Sequence, residues 1–355
     1  MNPPEKYRQL LKQIEVDGLL LMGRINRRYA AGFDIAEGIM LMTRDQCFFL
    51  TDSRYLEEAE KHLPGFCVRL VNRNATYLQQ IKELIETLPV RTLAYEEQCM
   101  TAGEFIRWSG ELSVRLLPVQ KEIDALRMEK TEQELLAIEN AQRITDRSFQ
   151  DILNIIRPGI TEAQLRRELI CILYRNGGED LAFDPIVVSG PNTSLPHGVA
   201  GERMLQDGDF VTLDFGCKWN GYCSDMTRTV AIDHVTDEMQ HVYNLVLQAQ
   251  EAGIDATNAG VSGAQVDEAA RCVIDKAGYG NFFGHGYGHG IGLEIHEAPN
   301  CSPSWQLPLP AGSVCSAEPG IYLPGKFGVR IEDMVVVEEM GCRNLTHSPK
   351  SLIIL

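Results

Sequence analysis

The chain has 355 residues, too many for one ordinary hydrophobic core, so two domains are the expectation. Its 44% of apolar residues is that of a globular protein, and a formal charge of -16 with no basic patch disfavours nucleic acid and anionic membrane surfaces as partners. Ten cysteines lie singly between Cys47 and Cys342 with no C-x-x-C pair, which argues against a zinc knuckle, a thioredoxin motif or a disulfide framework.

Residues 1–16 are charged and helical in period, with Tyr7, Leu10, Leu11 and Ile14 on one face. The first apolar run, Gly18–Met22, is far too short for a signal peptide or a membrane span, so the cytoplasm is the expected compartment. Gly18–Met22, Gly38–Met42 and Cys47–Thr51 read as strands, Tyr77–Leu88 as a helix, and Leu93–Tyr95 and Val114–Leu117 as further strands closed by Pro118. This is a small α/β unit. A boundary near residue 121 divides the chain into expected domains 1–121 and 122–355. A long helix then starts at the capping box Thr131-x-x-Glu134, carries Leu135, Ile138, Ala141, Ile144, Ile152 and Ile155 at helical spacing, and stops at Pro158-Gly159.

The second domain contains an internal repeat. Gly159-Ile-Thr-Glu-Ala-Gln-Leu165 recurs as Gly260-Val-Ser-Gly-Ala-Gln-Val266, and the segment Leu205–Gly216 parallels Leu309–Gly320, which aligns Asp214 with Glu318. Chance likeness of two strand-plus-turn segments would seldom give two blocks of nearly equal offset. The repeat is too long for a solenoid and predicts a pseudo-twofold domain, each half contributing carboxylates to a central site.

Asn220-Gly221 is a strong two-residue hairpin signal. Pairing Trp219 with Tyr222 places Asp214 opposite Thr227, with Asp225 on the same face. In the second half, a simple two-residue turn at Pro324-Gly325 would send Glu318 and Glu332 to opposite faces, so a bulge or an odd-length loop is required there. His289 lies in Gly284–Gly292, where alternating glycines let backbone pass close to a ligand or a strand. That stretch is no dinucleotide fingerprint, since no G-x-G-x-x-G can be read in it, and His296-Glu297 is followed by Asn300 where a zincin needs histidine. Asp214, Asp225, His289, Glu318 and Glu332 thus supply four carboxylates and one imidazole. Such a set suits two divalent cations about 3.5–4 Å apart, which need hard oxygen donors, a bridging carboxylate and a position open to water. Any one of these residues alone reads better as a solvated strand end or a cap; four acids in duplicated positions reverse that reading.

The motifs Leu-Asp214-Phe-Gly, Ser-Asp225-Met-Thr-Arg, Gly-His289-Gly-Ile-Gly-Leu-Glu-Ile-His296-Glu, Ala-Glu318-Pro-Gly-Ile-Tyr and Val-Arg-Ile-Glu332-Asp resemble the aminopeptidase P and prolidase family of pita-bread metallopeptidases. The resemblance covers roughly residues 122–355, and the N-terminal third resembles a creatinase-type α/β domain by position and size. It implies an α/β fold with a pita-bread catalytic domain, and a dinuclear metal-dependent exopeptidase releasing the first residue from peptides with proline second. By the same resemblance, Asp225 and Glu332 bridge the metals, Asp214 binds one, His289 and Glu318 bind the other, and Glu318 is the proton shuttle. His296 is placed beside the tetrahedral intermediate, His197 against the substrate, and Arg330 behind a carboxylate ligand; His285 lines the cleft or is a structural histidine. Manganese is the implied metal, with Co²⁺ or Zn²⁺ also suiting the donors, and a homodimer is implied.

Prolidases in this family clamp the substrate's free carboxylate with an arginine between the metal histidine and the next glutamate. Between Gly290 and Ala317 this chain has no Arg or Lys. That favours an Xaa-Pro aminopeptidase, with an Xaa-Pro dipeptidase as the alternative. Methionine aminopeptidases usually lack the additional N-terminal domain, and creatinase lacks the metal ligands. A non-enzymatic pita-bread binding module is the remaining reading, against which stands the complete ligand set.

Overall fold

The computed structural model describes residues 3–355 and divides into two compact units, Met1–Leu126 and Arg127–Leu355. In the first unit Pro3–Gln13 is helical, while Met1 and Asn2 of the expected segment lie outside the described residues. Tyr7, Leu10 and Leu11 are buried, but Ile14 falls beyond the helix end. A six-stranded sheet runs in the order Cys67–Leu70, Cys47–Thr51, Ile39–Thr43, Gly18–Leu21, Thr92–Tyr95, Arg115–Pro118. Gly18–Leu21 pairs antiparallel with Ile39–Thr43 and parallel with Thr92–Tyr95. Leu20, Leu41, Leu50, Ile81, Leu93 and Trp108 form its core.

The second unit is built twice. The helix Glu132–Leu153 opens with the expected Thr131/Glu134 capping box. It ends five residues before Pro158, where the Asn154 amide bonds back to the carbonyls of Gln150 and Asp151. Helix Glu162–Arg175 follows. Asp237–Ala256 and Gly263–Lys276 repeat this helix pair. The backbone hydrogen bonds at the start of each second helix repeat as well. Gly159 N donates to Leu205 O and Ala163 N to Gly201 O; in the other half Gly260 N donates to Leu309 O and Ala264 N to Trp305 O. Gly159 and Gly260 both hold positive φ, at 88° and 85°, a region closed to most L side chains.

Each half also has its own core. Phe149, Leu165, Leu169, Val187, Leu213 and Phe215 pack in the first; Tyr243, Val246, Val266, Ala270, Cys315 and Val335 pack in the second. Full burial of each large apolar side chain contributes about 1.5–3 kcal/mol, so the two hairpins carrying the acids rest on rigid supports.

The first hairpin pairs Phe210–Phe215 with Met226–Ala231, Asp214 opposite Thr227. Its tip has Asn220 at φ 47° and Gly221 at φ 75°, the two positive values that a tight hairpin turn needs. In the second hairpin, Ala317 pairs with Asp333, Gly320 with Arg330 and Leu323 with Phe327, leaving a three-residue loop, Pro324 to Lys326. The odd loop length resolves the expected difficulty: the register on both sides sets Glu318 opposite Glu332. The strands of both hairpins are interrupted, at Ser224-Asp225, Glu318-Pro319 and Ile331-Glu332. Three of the four acids therefore sit at breaks. There the backbone leaves its ladder for other partners: Glu318 N donates to Tyr287 O, and Glu332 N crosses to Thr227 O in the first hairpin.

Candidate metal centre

Asp214, Asp225, His289, Glu318 and Glu332 line one cleft of about 490 Å³, and His197, His285, His296 and Arg330 line it too. Nine residues spread over 136 positions thus meet on one surface. Donor atoms of Asp225, His289 and Glu332 all lie within 4.8 Å of one another. His289 Nε2 is 3.2 Å from Glu318 Oε1 and 3.6 Å from Asp225 Oδ2.

Local sequence explains each placement. His289 occupies the three-residue strand Gly288–Gly290. A Cβ on Gly288 would stand 2.0 Å from Ser316 O, and one on Gly290 2.5 Å from Glu297 O, so only glycines let this strand nest between its neighbours. Ser316 Oγ accepts from His289 N at 2.9 Å and donates to Glu318 Oε1 at 3.0 Å, linking two of the expected ligands. Thr227 Oγ1 donates to Glu332 Oε2 at 2.7 Å and accepts from Arg330 Nε at 3.1 Å. Arg330 also donates to Asp214 Oδ2 at 2.5 Å and to Tyr322 Oη at 2.8 Å. Behind the hairpins, Arg228 is buried and pairs with Asp333 at 2.7 Å, while its other donors reach the carbonyls of Thr227 and Glu332. That clasp joins the two halves on the side away from the cleft.

The electrostatics are those of a site short of positive charge. Burial, and then the neighbouring Glu332, Asp214 and Glu318, push the Asp225 carboxyl well above the ordinary carboxylate range. Burial with Glu318 and Asp214 does the same to Glu332. Asp214 is raised by burial and only partly relieved by Arg330. Burial opposes charge on His289, yet Glu318 and Glu332 carry it up to about 9, while His289 overcomes the burial of Glu318 and holds it near 2. Asp225 Oδ1 and Glu332 Oε1 are buried with no hydrogen-bond partner among the described residues. Orphaned buried carboxylate oxygens are costly and rare in folded proteins, and a cation is the partner that satisfies them. The donor set, hard oxygens with one imidazole, fits divalent cations.

The histidines differ in their surroundings. The His296 ring stands 4.3 Å from that of His289, at 74°, and burial followed by the charge on His289 depresses its pKa. His285 Nε2 lies 2.9 Å from Tyr322 Oη, and burial lowers its pKa. His197 is exposed on the cleft wall. Thr227 and Ser316 were not singled out in the sequence, because a hydroxyl on a buried strand leaves no pattern. Phe183, Asp184 and Ile295 also line the cleft without a sequence signal.

A duplicated α/β unit with buried acids from both halves converging on a water-accessible cleft is the build of a metal-dependent hydrolase. The chain belongs to metallopeptidase family M24, whose pattern matches residues 137–339, and residues 4–129 match the creatinase/prolidase N-terminal domain. It is similar to an Xaa-Pro dipeptidase of Pyrococcus furiosus, 38% identical over 351 residues that cover 98% of this chain and 99% of that one. Among solved structures it resembles an Xaa-Pro dipeptidase from Bacillus anthracis, at TM-score 0.96 and 38% identity over 99% of each chain. An X-Pro aminopeptidase from Thermotoga maritima follows at TM-score 0.92 and 37% identity, with 100% of each chain covered. The expected fold, a pita-bread catalytic domain behind a creatinase-type domain, is the one found.

Proposed function

We propose that the protein is an Xaa-Pro aminopeptidase: it hydrolyses the bond between a peptide's first residue and a following proline, using two divalent cations held by Asp214, Asp225, His289, Glu318 and Glu332. The relatives' names support the Xaa-Pro preference, and the buried, unpartnered oxygens of Asp225 and Glu332 support these two residues as ones that would hold a cation. Bound there, the cations would supply a water acidic enough to ionise near neutral pH and would polarise the scissile carbonyl.

The side chains provide the rest. Glu318, anionic and with its carboxylate facing the cleft, is placed to take the proton of the attacking water and return it to the leaving proline nitrogen. His296, neutral because its pKa is depressed, can donate a hydrogen bond to the oxygen that gains charge as the carbonyl is attacked. His197, exposed on the cleft wall, binds substrate. Arg330 donates to Asp214 Oδ2, which orients the carboxylate and favours its ionised form against burial. His285 is held by Tyr322 and borders the cleft.

One observation carries aminopeptidase over dipeptidase. Arg330 is the one cationic Lys or Arg side chain lining the cleft among the described residues, and its donors are engaged by Thr227, Tyr322, Asp214 and the Pro196 carbonyl. Among the described residues no other Lys or Arg lines the cleft to clamp a dipeptide's carboxylate. The dipeptidase reading retains support from the names of the 38% identical relatives. Manganese as the metal, a cytoplasmic location and a homodimer are part of the same proposal. No helix among the described residues is long and apolar enough to cross a membrane.

The test gives metal-stripped protein, with and without Mn²⁺, an Xaa-Pro dipeptide and an Xaa-Pro-Yaa tripeptide side by side, read by mass spectrometry. Metal-dependent release of the first residue from the tripeptide supports the aminopeptidase. Preference for the dipeptide would replace it with a prolidase, and cleavage of neither would remove the Xaa-Pro reading.

A further inference from the structure

His197 stands exposed on the cleft wall with no ring partner among the described residues, whereas His296 stands against the ring of His289. The His197 imidazole makes no hydrogen bond among the described residues, whereas those of His285 and His289 are both engaged. Leu195 and Val199 on either side are 55% and 86% exposed. Where His197 stands is therefore decided by the path of its loop, residues 190–201. Along its length the loop is held by Thr193 Oγ1, which accepts from Gly328 N at 2.8 Å, and by the Pro196 carbonyl, which accepts from Arg330 at 3.3 Å; at its base it has a buried anchor.

The anchor is Glu162, in the first turn of helix Glu162–Arg175 and fully buried. Its Oε1 accepts from Ser189 N at 2.7 Å, Ser189 Oγ at 2.9 Å and Asn192 Nδ2 at 3.0 Å, all at the loop's beginning. Its Oε2 accepts from Gly201 N at 3.1 Å, at the loop's end, and from Asn192 Nδ2 at 3.2 Å. One carboxylate thus ties both ends together, with charge-assisted bonds of the stronger kind.

The internal repeat shows what the glutamate is doing. The equivalent position in the second half is Gly263, also at a helix start, and a Cβ there would stand 1.9 Å from Asn300 O. Asn300 lines the cleft as His197 does. In the second half the cleft wall lies directly on the helix and only glycine fits. In the first half the wall stands away from the helix, and a buried carboxylate spans the gap.

We propose that Glu162 is a positioning residue for His197: by closing the base of the 190–201 loop it sets where His197 meets the substrate. The inference rests on the peptidase reading for its catalytic consequence, but not for the anchoring itself.

Glu162→Gln keeps the shape and replaces one acceptor oxygen by an amide that cannot accept from Gly201 N. In the Mn²⁺-reconstituted full-length protein, kcat/KM on an Xaa-Pro-Yaa tripeptide should fall roughly tenfold to hundredfold, the size expected of a misplaced group. In a His197→Ala background the same change should add no more than about a twofold loss, since the two substitutions act through one group. Hydrogen exchange of residues 190–201 should quicken in Glu162→Gln with other segments unchanged. Ser189→Ala, which removes one of the bonds, gives a milder test in the same direction should Glu162→Gln fold poorly. An equal loss of kcat/KM in both backgrounds, or unaltered exchange of the loop, would overturn the proposal. Absence of Xaa-Pro cleavage by the parent protein would sink the peptidase reading instead, and the exchange measurement would still decide whether Glu162 anchors the loop.

Discussion

Replacing Glu332 by glutamine should make the metal-free protein more stable while removing its response to metal. Asp225 and Glu332 present donor atoms within 4.8 Å of one another in a buried site. At an effective dielectric of about 20, two unit charges at that separation repel by about 3.5 kcal/mol. Proton uptake by one carboxyl caps this penalty. The Thr227 hydroxyl, which donates to Glu332 Oε2 at 2.7 Å, can donate equally to an amide oxygen. About half of the repulsion, roughly 1–2 kcal/mol, should therefore return as stability, a rise in Tm of about 2–8 °C for a unit of this size. In the parent protein, free metal at a hundredfold excess over Kd should add about 2.7 kcal/mol, and the variant should lose most of that gain. Calorimetry at neutral pH on EDTA-treated protein, with and without Mn²⁺, reads both quantities. A lower Tm for metal-free Glu332→Gln, or an undiminished shift on adding Mn²⁺, would refute the reasoning.

Other outcomes follow from the same geometry. Glu318→Ala should abolish turnover while the protein stays folded by circular dichroism; an active variant would end the proton-shuttle role. Arg228→Met leaves Asp333 buried with Lys350 as its remaining cation at 3.0 Å, and urea melts should show a loss on the order of 3–5 kcal/mol. Metal uptake should weaken as pH falls. The carboxyls of Asp225 and Glu332 have raised pKa values and hold protons further up the pH scale than ordinary acids, and His289, raised to about 9, is protonated at neutral pH. Ligation needs all three deprotonated, so titration calorimetry at pH 7 in buffers of different ionisation enthalpy should show proton release on Mn²⁺ binding; a pH-independent affinity would contradict this.

The first hairpin was legible because its turn announces itself. Asn220-Gly221 allows one tight geometry, and from it the pairing of Asp214 with Thr227 follows residue by residue. The second hairpin was not, because its register hangs on one extra loop residue beside Gly325, a choice that composition does not reveal. The strand breaks at Asp225, Glu318 and Glu332 were equally silent, since they depend on partners far along the chain, such as Tyr287 O for Glu318 N and Thr227 O for Glu332 N. The repeat was readable from its capping boxes and glycines, which serve backbone geometry and so recur as letters. In the first unit, helix Arg24–Ala31 was missed because its sequence, RINRRYAA, holds few large apolar residues, and the face it buries includes Asn26 and Arg27. There a buried Glu96 bonds the Asn26 side chain, a tertiary contact that overrides the local pattern.

The most direct measurement is anomalous diffraction at the manganese edge from crystals grown with Mn²⁺. Two peaks about 3.5–4 Å apart, with Asp225 and Glu332 touching both, Asp214 on one, and His289 with Glu318 on the other, are the predicted result. A single peak, or metal bound away from these five side chains, would contradict the account.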